Sequence, residues 1–176
     1  MLYTPHLKVL YSGTRNSYYS LAAAALSTAV FTVGGSNNPA GVTADDPRGA
    51  LDGMVGSLLS DGTIGLADTT GEANAALGLF INPVRGSAYS ASSAVESGKG
   101  VLFEDYGLYE CDIYELRNDA DNADNTYSVG DRLYCSLRGM ITKDSTSKTR
   151  SIGICLRPAT ASNPYLLLKW KLDDLS

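Results

Sequence analysis

The residues with chemical capacity in this chain are few. A pair of carboxylates of the kind that breaks a glycosidic bond could be drawn from Glu104, Asp105, Glu110 and Asp112. Adjacent acids on a strand also make a solvated face, and that reading is the simpler one. Asp119, Asp121 and Asp124 crowd the stretch RNDADNADNT, an oxygen-rich run of the kind that can attract Ca²⁺. It lacks the turn glycine and closing glutamate of a helix-loop-helix calcium site, so a solvated loop is expected. His6 is the one histidine, with no cysteine or carboxylate at ligand spacing. A serine nucleophile would have to borrow it, and no Gly-x-Ser-x-Gly elbow is present. Cys111, Cys135 and Cys155 form no Cys-x-x-Cys pair, and three widely spaced cysteines give no disulfide framework. Buried thiols, in a protein assembled in a reducing compartment, are expected. Gly34-Gly35 lacks the following Gly-Lys-Ser/Thr of a phosphate loop, and no dinucleotide fingerprint, metal quartet or kinase set occurs. The chain therefore reads as a non-enzyme without cofactor or metal.

Charge narrows the partners. The 176 residues carry a net charge of −5. The basic residues are scattered in sequence, with Lys143, Lys148 and Arg150 in one loop and Lys169 and Lys171 on one strand. Nucleic-acid binders show a basic stripe, so no nucleic-acid partner is expected. The longest low-polarity run, LAAAALSTAVFTV at residues 21–33, is too short to span a bilayer, which needs about 20 apolar residues. It starts late and follows no basic cluster, unlike a secretory signal. No membrane partner is expected.

The elements that would position these groups are mostly strands. Gly is abundant at 18 residues, charged residues are only 19%, and Tyr numbers 11 against three Phe. This balance fits a β-rich chain with many turns and wet aromatic surfaces. Apolar residues alternate at period two over Arg132–Leu137, Ser151–Leu156 and Leu168–Leu172, with breaks at Gly139, Pro158 and Asn163-Pro164. Ala76–Ile81 reads as a buried strand stopped by Asn82-Pro83. Asp61-Gly62 reads as a hairpin turn between Met54–Leu59 and Ile64–Ala67. Residues 101–116 give two strands broken near Asp105-Tyr106-Gly107. A short helix is expected near Ser17–Leu26, followed by a strand, because Ala22–Ala25 favour helix and Val30–Val33 favour strand.

The fold class expected is mainly β: an antiparallel β-barrel or β-sandwich module with an N-terminal arm and little helix. The turn-rich stretch 34–50 sets the boundary between an arm and linker over 1–50 and a β-rich main domain over 51–176. Tyr3, Leu7, Val9, Tyr11, Tyr18 and Tyr19 are too apolar to leave together in water, so they are the candidate partner-binding residues. Either the segment lies on a neighbouring surface as an arm, or it is an ordinary first strand of the same domain.

The run VGDRLYCSLRGMIT, a short polar loop, and SIGICLRPATASNPYLLLKWKL resemble the C-terminal β-module of tailed-bacteriophage head decoration (cement) proteins. ALGLFINPVRG and the SGKG before Val101 are similar to the same family. The resemblance covers roughly Ala76–Leu172 and leaves residues 1–75 unmatched. It implies a structural protein of the virion, assembled in the host cytoplasm and placed on the outer capsid surface. It also implies a homotrimer bound to the major capsid protein, cementing neighbouring capsomers. The alternatives are a tail or baseplate component and a carbohydrate-binding β-domain.

Overall fold

The computed structural model describes residues 7–12, 16–20, 52–67, 69–81, 99–103, 106–117 and 124–174. The strands are β1 (Leu7–Ser12), β2 (Asn16–Ser20), β3 (Val55–Leu58), β4 (Ile64–Gly65), β5 (Ala76–Phe80) and β6 (Lys99–Phe103). They continue with β7 (Gly107–Cys111), β8 (Arg132–Cys135), β9 (Ile141–Thr142), β10 (Arg150–Arg157) and β11 (Leu166–Asp174). A single turn of helix, α1 (Thr70–Asn74), precedes β5.

Two antiparallel sheets share one core. The larger has the order β1-β7-β11-β10-β8-β9, the smaller β2-β6-β5-β3-β4. Alternation decides which side chains enter the core, because successive residues of a strand point to opposite faces. On β11, Leu166, Leu168 and Trp170 are buried, while Lys169 and Lys171 between and beyond them are exposed. They meet Tyr109 and Cys111 of β7 and Leu133 and Cys135 of β8. Met54, Val55, Leu79 and Phe80 of the smaller sheet complete the same cluster. Trp170 is the bulkiest side chain of that core, and its lateral neighbours are Gly107 and Gly153. The Tyr109 ring fills the space over Gly107, where a Cβ would overlap its hydroxyl. A Cβ at Gly153 would overlap the Lys169 carbonyl, so β10 and β11 approach more closely than any other residue there permits.

Backbone bonds stitch the sheets at their ends. The Val55 N–H donates to the Gly139 carbonyl at 2.7 Å, and a Cβ at Gly139, where φ is +69°, would sit 2.7 Å from Leu66. Beyond β7 the chain bends back. Glu115 N–H donates to the Ile141 carbonyl at 2.9 Å, and Tyr114 bridges Ile141 in parallel. The larger sheet thus curls until the segment after β7 reaches β9, although the described strands form no closed barrel.

Most of the expected elements are present. Pro158 follows the end of β10, as a residue without an N–H must. Asp61-Gly62 joins β3 to β4, with Gly62 at φ +79° and the Asp61 carboxylate accepting from Thr63 N–H at 2.9 Å. One expectation is corrected. Asn16–Ser20 form a strand in register with β6, so the helix expected from Ser17 does not begin there. Tyr18 and Tyr19 suit a strand, and pairing with a neighbour overrides the weak helix preference of the alanines that follow. Residues 21–26 of that expected helix lie outside the described residues. The described part of the expected arm takes the other course open to it, with β1 and β2 each at an edge of a sheet. Residues 1–6 and 21–51 lie outside the described residues.

Candidate functional site: an aromatic sheet edge

β1 is tied down at one end and exposed at the other. Leu7 pairs with Cys111 and is 7% exposed, inside the core. Its N–H donates to the buried Asp52 carboxylate at 3.0 Å. Lys8 faces outward, 3.7 Å from Glu110 and with its Nζ 3.3 Å from the centroid of the Tyr165 ring. The register then slips between Val9 and Tyr11, which leaves Leu10 in a bulge.

From that bulge onward the strand is open. Val9, Leu10 and Tyr11 are 46%, 56% and 51% exposed, and Tyr106, just before β7, is 53% exposed. The Tyr11 and Tyr106 rings lie 5.8 Å apart at 39°, and their hydroxyls are 3.2 Å apart. No described strand pairs with the outer side of β1. A sheet edge carrying contiguous apolar and aromatic side chains is a place where another chain can be held, by contact area and by backbone hydrogen bonds.

The sequence-predicted contact residues divide accordingly. Val9 and Tyr11 stand on the exposed edge. Leu7 is a correction, because the alternation that turns Lys8 outward turns Leu7 into the core. Tyr18 and Tyr19 lie on β2, opposite Val101 and Gly100, at the edge of the smaller sheet. Tyr3 lies outside the described residues. Leu10 and Tyr106 were missed. Leu10 owes its exposure to the bulge, and Tyr106 owes its place to the pairing of β1 with β7; neither has a local sequence signal.

The other candidate groups are accounted for one by one. Glu110 is held by Lys8 and Arg157 in ion pairs, and Asp112 is buried. Glu104 and Asp105 lie outside the described residues, as do His6, Asp119 and Asp121. Asp124 pairs with Arg117 at 2.9 Å. The three cysteines are buried free thiols. Burial pushes the Cys111 thiol well above its ordinary range and Cys135 up to about 12, so neither is a nucleophile at neutral pH. Among the described residues no group of three His, Cys, Asp or Glu side chains is placed to hold a metal ion. No described helix is long and apolar enough to cross a membrane.

One small cavity, about 190 Å³, opens beside α1. Its lining includes Thr70, Glu115, Ser136, Thr142, Asp144 and Lys148. Glu115 is buried at its inner end, and the Tyr127 hydroxyl donates to the Glu115 carbonyl at 2.8 Å. Asn74 fixes the rim, since its side chain donates to the Ser147 carbonyl and accepts from Thr149 N–H. The helix itself was legible and missed: Thr69 accepts from Glu72 N–H at 3.3 Å, the Thr-x-x-Glu pattern of a helix start.

No protein-family model, curated protein or solved structure matches the chain.

Proposed function

We propose that this protein is a non-enzymatic structural component of a tailed-phage virion, a cement protein on the outer capsid surface that bridges neighbouring capsomers as a homotrimer. The observation that carries the reading is the β1 edge. Val9, Leu10, Tyr11 and Tyr106 form an aromatic patch along an edge without a described partner strand. Rigid tyrosine rings give large contact area, and each hydroxyl finds a polar partner at the rim of an interface. The antiparallel frame behind the patch agrees with the β-module that the resemblance over Ala76–Leu172 implies. The trimer and the major capsid protein as partner come from that resemblance alone.

The test is co-sedimentation of the purified protein with undecorated capsids over a range of salt, with light scattering to count subunits. Stoichiometric binding is expected, weakened by Tyr11→Ser. Absence of binding at every salt concentration overturns the reading, and a position on the tail in an electron-microscopic reconstruction replaces it with a tail component. The polar cavity beside α1 favours a second reading, a carbohydrate-binding β-domain. Binding on a glycan array that is lost in Asp144→Ala would support that instead.

A further inference from the structure

The outward face of the larger sheet gathers charges that lie far apart in sequence. Two lateral rows cross it. In one, Lys8, Glu110, Leu167 and Arg157 stand on neighbouring strands; in the other, Tyr11, Leu108, Lys169, Ile154 and Arg132 do so. Lys171 follows Lys169 on the same side of β11. Five cations thus share the face with two carboxylates, Glu110 and Asp173. Glu110 is already taken by Lys8 and Arg157. Among the described residues, Arg132, Lys169 and Lys171 form no ion pair. On a chain of net charge −5 this is a reversal of sign.

The centre of the face is apolar. Ile154 and Leu156 are exposed, and Leu108 and Leu167 are half-buried beside them. Adjacent strands lie about 4.8 Å apart, so Arg132 and Lys169 flank Ile154 at roughly that distance on either side. An aliphatic centre ringed by charge is the anatomy of a protein interface. Nucleic acid would be served by aromatic rings under the bases; the Tyr11–Tyr106 pair stands at the β1 end of the second row, and the centre at Ile154 and Leu156 has none.

We propose that this face docks an acidic protein surface whose carboxylates surround an apolar centre. The inference does not depend on the virion reading, and its assay contains no capsid. The intact protein is titrated, with fluorescence polarisation as readout, into a labelled peptide carrying glutamates around a central leucine pair. Polyglutamate, a single-stranded oligonucleotide and anionic phosphatidylserine vesicles are run in parallel. The leucine-centred peptide should bind tightest and weaken as salt rises. Arg132→Gln with Lys169→Gln should reduce its affinity about tenfold, the loss of a close charge pair or two. Ile154→Ser should weaken that peptide severalfold and leave polyglutamate unchanged. Unshifted Trp170 emission shows that each variant is folded. Tighter binding to the oligonucleotide or the vesicles overturns the proposal, as does peptide binding indifferent to all three substitutions. Failure here leaves capsid binding through β1 intact, and failure of capsid binding leaves this result standing.

Discussion

Gly153 and Trp170 show how far a single position can control this molecule. The Cβ of Gly153→Ala would meet the Lys169 carbonyl, a backbone atom in the middle of a paired strand that cannot step aside. Alanine there should destabilise by about 2–3 kcal/mol, as overpacking of a well-filled core does. Urea unfolding would show this as a lower midpoint with an unchanged slope. Trp170 is the only tryptophan, and it is fully buried among apolar neighbours. Its emission should be blue-shifted and insensitive to iodide in the native state, then move to the red on unfolding. Quenching by iodide in buffer would place the indole at the surface and contradict the packing described.

At the scale of the element, β1 separates stability from contact. Leu7→Ser should lower stability by about 2–4 kcal/mol, because it puts a hydroxyl into the core and removes an apolar side chain. Tyr11→Ser should leave the melting temperature nearly unchanged and weaken the proposed capsid association. If both substitutions affected only association, β1 would be an arm and not a strand of this domain. The thiols of β7 and β8 give the sheet an alkaline limit. Burial raises the folded pKa of Cys111 and Cys135, the latter to about 12, and also raises that of Tyr127. Unfolded thiols ionise near pH 8.5. Above that value the unfolded chain binds fewer protons than the native one, so stability falls as pH rises. Their contribution is complete below about pH 8.5 and is lost progressively towards pH 12. A series of denaturation midpoints from pH 7 to 11 should show the decline, and Cys135→Ala should flatten its slope.

Across the whole molecule, both sheets contribute to one cluster of buried residues, so neither has a core of its own. Unfolding should therefore be a single cooperative transition. Trp170 fluorescence, which reports the larger sheet, should coincide with far-ultraviolet circular dichroism, which reports both. Two separated transitions would mean two domains. The circular dichroism spectrum itself should be that of a β protein, since α1 is a single turn.

The chain's β character, most strand positions and the principal breaks could be read from the sequence, because period-two alternation and the backbone limits of glycine and proline act locally. Pro158 stops β10 wherever the strand lies, and Asp61-Gly62 turns whatever flanks it. Strand partners are a different matter, since pairing joins residues distant along the chain. Whether Leu7 and Tyr11 share an environment depends on a bulge in the β1–β7 register, and Asn16–Ser20 became a strand only by lying beside β6. The ion pairs that hold Glu110 were decided the same way, by Lys8 and Arg157 arriving from other strands. The basic outer face is the clearest case. Lys8, Arg132, Arg157 and Lys169 are scattered over more than half the sequence, and only the strand order β1-β7-β11-β10-β8 sets them side by side.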